Sequence, residues 1–91
     1  MNNIRAEIIV TGKVQGVGYR WFVFTHANNL CLKGTVKNNI NSTVEVIAEG
    51  DKDGIDKLIL FLKKGPSNSL IKNVNVEIKN STNLFTNFKI I

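Results

Sequence analysis

In "RAEIIVT", residues 5–11, apolar residues fall at every second position, so Ala6, Ile8 and Val10 share one side. This predicts a half-buried first strand. From Tyr19 to Leu30 the period changes. Val23, Ala27 and Leu30 recur at i, i+4 and i+7, flanked by Trp21, Phe22 and Phe24, which predicts a first helix. Strands are expected over Cys31–Asn39 and Thr43–Glu49, the latter with Val44, Val46 and Ala48 inward. Between them "INS" reads as a hairpin whose Asn41 tolerates positive φ. A second helix is marked by Ile55, Leu58, Ile59 and Leu62, with Asp51 as N-cap, Lys63 and Lys64 in the last turn and Gly65-Pro66 as its stop. "IKNVNVEI" alternates through Val74, Val76 and Ile78, and a last strand is placed through Phe85, Phe88 and Ile90.

The order β-α-β-β-α-β plus a terminal strand predicts an α+β, ferredoxin-like sandwich, with an antiparallel sheet of four to five strands and both helices on one face. Ninety-one residues, 43% of them apolar, fit a single globular domain over residues 1–91. A net charge of +5 and a pI near 9.6 favour anionic partners without choosing among them. "MNNIRAEIIV" lacks the apolar stretch of a secretion signal, and no run approaches membrane-spanning length. A lone Cys31 fits a reducing compartment. The expectation is therefore a cytoplasmic protein with no membrane association.

"GKVQGVGYR", residues 12–20, joins the first strand to the first helix. At such junctions loop amides and the helix dipole converge on anions. Gly16 and Gly18 would let the backbone come close to a ligand, but the spacing matches neither the P-loop nor the dinucleotide template, so it is weak evidence by itself. Arg20 strengthens it. A cation in the first helical turn opposes the macrodipole, at a cost of about 0.3–1 kcal/mol. The second helix has Asp51, Asp53 and Asp56 near its start, whereas the first has no acidic residue. A rule broken without structural gain points to function, and guanidinium suits bidentate binding of phosphate.

With these residues in view, the chain resembles the acylphosphatases, small enzymes that hydrolyse carboxyl-phosphate anhydrides. "GKVQGVGYR" looks like their phosphate-binding loop and "GTVKNNINSTVEVIAEG", residues 34–50, like their second signature; "GPSNSLIKNV" and "FKI" stand in the expected places. The resemblance implies that Arg20 binds the substrate phosphate and that Asn38 orients the attacking water. It also implies that the backbone amides of Gln15, Gly16, Val17, Gly18, Tyr19 and Arg20 form the cradle. The implied partners are small acyl phosphates and inorganic phosphate; the absence of an Asp/Glu/His cluster argues for a site without metal, and a monomer without cofactor or nucleic acid is expected.

The chemistry is self-consistent. The leaving group is a carboxylate whose conjugate acid has a pKa of about 4.3, so no general acid is needed. What is left is charge stabilisation and water placement, within reach of an arginine, amides and an asparagine. Thr35, Lys37 and Lys13 depart from the residues common in the family, as does "INS", and the first two are expected to flank the site strand. His26 reads as a helix-surface residue and Cys31 as a small buried or half-buried hydrophobe. Two other readings compete: an RNA-binding module of the same topology, and a phosphate-binding domain without turnover. "RAEIIVT" and "TVEVIAE" carry no aromatics on which bases could stack, which argues against the first.

Overall fold

The computed structural model describes residues 3–91. The elements follow in the order β1 (Asn3–Lys13), α1 (Tyr19–Asn29), β2 (Lys33–Asn38), β3 (Val44–Asp51), α2 (Lys52–Lys64), β4 (Leu70–Asn80) and β5 (Phe88–Ile90). The sheet order is β4-β1-β3-β2-β5. The four longer strands pair antiparallel, with Ala6 opposite Ala48 and Ile78, and Val36 opposite Val46. This is the ferredoxin-like α+β sandwich, with one difference at its edge: β5 pairs with β2 in parallel, Gly34 beside Phe88 and Val36 beside Ile90. The cause lies in the path of the chain. β4 finishes at the end of the sheet where β2 begins, so residues 81–87 run across that end to the opposite edge and β5 sets out in the direction of β2. Phe85 stays outside the strand, under the guanidinium of Arg5 at 5.6 Å.

Period-2 alternation sorts every strand into two rows. Ala6, Ile8, Val10, Val36, Val44, Val46 and Ala48 are all at 0% exposure against Val23, Ala27, Ile55, Leu58 and Leu62 of the helices. Each buried Val or Leu contributes about 1.5–3 kcal/mol of transfer free energy, so this layer dominates stability. Cover fails only at the β4 edge, where Val76 and Ile78 of the same row remain partly exposed.

Three local expectations change. The positive φ of the hairpin falls on Ser42, while Asn41 uses its Oδ1 to accept from the Thr43 amide and hydroxyl. Cys31 is exposed and left-handed, because it turns the chain out of α1 and leaves Leu32 to fill the core. His26 is half-buried, stacked on Phe61 at 3.7 Å with Phe22 edge-on, since the exposed flank of α1 meets α2 there.

Candidate active site

The β1–α1 connection is built around left-handed glycines. Gly16 and Gly18 have φ of 74° and 78°, and a Cβ at either would meet nothing within 4 Å. They are needed for the turn, in which an L side chain would be strained. Gly12 differs: it sits at the β1 bulge, where a Cβ would strike the Leu70 carbonyl, so its role belongs to the sheet. Gly18 then caps α1 without a side-chain acceptor, and no acid occupies the first turn. Beyond the helix ladder, no amide from Gln15 to Arg20 donates to a backbone carbonyl among the described residues. Free N–H groups beside the positive end of a helix dipole are a combination able to bind an anion.

Two side chains of the loop hold it in place. Tyr19 is 1% exposed and donates its hydroxyl to the Leu62 carbonyl at 2.9 Å, which pins the start of α1 to the end of α2; burial raises its phenol above the ordinary value. Gln15 donates through Nε2 to the carbonyls of Asn39 and Thr43, both at 2.9 Å, so the loop is tied to the β2–β3 hairpin. Neither polar group is aimed at a ligand, and Val17 packs against the core. For Gln15, Val17 and Tyr19 only the backbone can serve the cradle. The Gln15 tie was not read from the sequence, because its acceptors lie 24 and 28 residues away.

Asn38 ends β2 on the row of Gly34 and Val36, hence on the helix face. Its Oδ1 is buried and has no hydrogen-bond partner among the described residues. An orphaned buried acceptor costs about 1–3 kcal/mol, which sets it apart from a surface polar group. Thr35 and Lys37 take the opposite row: Thr35 pairs with Ile47, and Lys37 lies 4.0 Å from Glu45. They flank Asn38 in sequence but project from the other face of the sheet, so neither lines the cavity that Asn38 enters.

Arg20, Gly16, Gly18 and Asn38 line one cavity of about 200 Å³, with Val14 and Tyr19 beneath and Trp21 and Ile90 at its sides. Arg20 is exposed and pairs with no carboxylate among the described residues. No Asp, Glu or His lines the cavity. Among the described residues no three His, Cys, Asp or Glu side chains gather as a metal site. A larger hollow of about 390 Å³ opens on the other face of the sheet, but Glu7, Glu45 and Glu77 line it, the wrong charge for an anion. The arrangement offers positive charge, free amides and one fixed acceptor, the groups that bind a phosphoryl dianion and hold a water beside it.

The acylphosphatase family model matches residues 6–90. An acylphosphatase of Deinococcus radiodurans is 41% identical over 81 residues, covering 89% of this chain and 93% of its own; one from Paenarthrobacter aurescens is 35% identical over 88 residues, covering 97% and 94%. The crystal structure of acylphosphatase from Bacillus subtilis superposes with a TM-score of 0.94 at 34% identity, covering 97% of this chain and 98% of that one. The strand-to-helix cradle, the unpaired Asn38 acceptor and these likenesses over nearly the whole length lead to one conclusion: this chain belongs to the acylphosphatase family.

Proposed function

We propose that the chain hydrolyses acyl phosphates to a carboxylate and inorganic phosphate at the cavity between Gly18 and Asn38. The observation that carries this is the buried, unpartnered Oδ1 of Asn38 in the same cavity as Arg20 and the uncapped start of α1. The loop amides and Arg20 hold the phosphoryl oxygens, and their positive charge grows in value as negative charge shifts onto those oxygens. Asn38 accepts a hydrogen bond from the attacking water through Oδ1 and fixes its approach to phosphorus. A P–O bond forms to water as the P–O bond to the acyl oxygen breaks. The electron pair leaves with the carboxylate, and the water proton passes to phosphate or solvent. A carboxylate is stable unprotonated near neutral pH, so a site without His, Asp or Glu is sufficient.

The acting unit is one domain of one chain, because Arg20 and Asn38 both come from it. On the open face of the sheet Glu7, Glu45 and Glu77 are paired with Arg5, Lys37 and Lys79, so this face offers no continuous basic track for a nucleic-acid backbone. No helix among the described residues is long and apolar enough to cross a membrane, and we place the enzyme in the cytoplasm. The test is release of acetate and benzoate from acetyl and benzoyl phosphate in the presence of EDTA. Full turnover is expected. Phosphate that protects the fold against heat without any turnover would mark a binding domain instead.

A further inference from the structure

Two side chains of the cavity have no task in binding a phosphoryl group. Amides and a guanidinium recognise phosphate, which gains nothing from a hydrocarbon wall. Yet Trp21 lines the cavity at 64% exposure and Ile90 lines it at 37%. The other large apolar side chains there, Val14 and Tyr19, are 1% exposed and are accounted for by the core. Trp21 belongs to the first turn of α1 and Ile90 to β5, so two separate elements bring apolar surface to one hollow.

Both are held in place. The indole of Trp21 stacks on Phe24 with centroids 5.2 Å apart and planes at 22°. Ile90 is fixed beside Val36 by strand pairing, and the next amide, of Ile91, donates to the Val36 carbonyl at 2.9 Å. Apolar surface that is exposed, concave and already ordered binds a hydrocarbon group with little further loss of entropy. An acyl phosphate has such a group at its other end. With the phosphoryl oxygens in the loop, the acyl part must lie at the cavity mouth to leave as carboxylate.

We propose that Trp21 and Ile90 form a subsite for the acyl group, selecting acyl phosphates with an aromatic or bulky apolar acyl part over acetyl-sized ones. This rests on the acyl-phosphate reading of the same cavity. An aryl acyl group can stack on the free portion of the indole and touch Ile90, whereas a methyl group reaches neither well.

The test compares benzoyl and acetyl phosphate hydrolysis by wild type, Trp21→Ala, Trp21→Phe and Ile90→Ala. Trp21→Ala is expected to raise KM for benzoyl phosphate about tenfold and for acetyl phosphate no more than about threefold, with Trp21→Phe recovering most of the loss. Ile90→Ala should shift the same ratio in the same direction by a smaller factor. Equal shifts on the two substrates, or none, would overturn the subsite while leaving hydrolysis intact.

Binding supplies a second readout, because Trp21 is the only tryptophan of the chain. Benzylphosphonate should change its emission and compete with phosphate more tightly than methylphosphonate does. That preference, observed in a protein that turns over neither acyl phosphate, would uphold the subsite and sink the hydrolysis reading. Identical affinity and emission with both phosphonates would sink the subsite.

Discussion

The two ends of the β2–β3 ribbon treat polar groups in opposite ways. At the end where β3 runs into α2, Glu49 is 5% exposed and accepts five hydrogen bonds: from Arg5 Nη1, the Ser81 hydroxyl, the Thr82 amide and hydroxyl, and the Asn83 amide. Nearby, α2 starts on Asp51 with Asp53 in its first turn, in keeping with the dipole, although Asp51 makes no side-chain cap bond. At the other end Asn38 Oδ1 is buried with no partner, α1 has no cap and no acid, and a cation stands in its first turn. The same fold thus satisfies one end internally and leaves unmet polar groups at the other, where we propose that an anion and a water bind. Unmet polar groups gathered at one end of a molecule mark where a ligand belongs.

The largest effect expected from breaking this contrast is on Arg20. Arg20→Gln should lower kcat/KM for acetyl phosphate about 10³-fold, some 4 kcal/mol of transition-state stabilisation, and weaken inhibition by phosphate. Steady-state kinetics on a protein shown by circular dichroism to be folded checks this. A rate within tenfold of wild type would remove Arg20 from the phosphate site.

The closed end should fail with acid. Burial by itself would raise the Glu49 carboxyl, but hydrogen bonds from Thr82, Arg5 and Ser81 outweigh it and bring the group down to about 2. A group depressed in the folded state stabilises above its unfolded value of 4.5, and the benefit is lost as pH falls from there towards 2. The amount is about 3 kcal/mol. Urea midpoints between pH 6 and pH 2.5 should fall in the wild type and change less in Glu49→Gln, which should be the weaker protein at pH 6. Parallel pH curves would mean that the clasp contributes no linkage.

Asn38→Ala comes next, with about 10²-fold off kcat, unchanged inhibition by phosphate and no more than about 1 kcal/mol lost in stability, because the amide leaves no partner behind. A variant that loses phosphate affinity in proportion to kcat would make Asn38 a phosphate ligand rather than a water holder. Gln15→Leu should cost about 1–2 kcal/mol for its two hydrogen bonds to the hairpin, and about tenfold in kcat through a loosened loop. Full activity in a destabilised Gln15→Leu would confine that side chain to folding.

How much of this the sequence reveals depends on range. The inner rows of Ala6, Ile8 and Val10 and of Val44, Val46 and Ala48 are local patterns, and they lie where alternation puts them. Arg20 was legible by contrast with Asp51 and Asp53, because the macrodipole is a local rule. Asn38 was reached through family resemblance, yet alternation from Val36 already assigns it to the inner face and Thr35 and Lys37 to the outer one. The Glu49 clasp was missed, because its partners at Ser81, Thr82 and Asn83 stand 32 to 34 residues away. Likewise the parallel pairing of β5 depends on a chain crossing that no local pattern encodes.

The smallest prediction bears most directly on the contrast between the two helix starts. Neutralising one charge at each should move stability in opposite directions. Asp53→Asn removes a charge that favours the dipole and should cost about 0.3–1 kcal/mol, with turnover unchanged, since Asp53 is at the end away from the cavity. Arg20→Gln removes a charge that opposes the dipole and should gain a similar amount while losing turnover. Both shifts should shrink between 0.05 and 0.5 M salt, because each group is exposed and the screening length falls below about 10 Å. Thermal melts of the two variants, singly and combined, provide the measurement, and the combined protein should melt near wild type because the sites are far apart. If Arg20→Gln instead melts lower at both salt levels, the guanidinium stabilises the fold, and its place at the start of α1 no longer needs a phosphate to explain it.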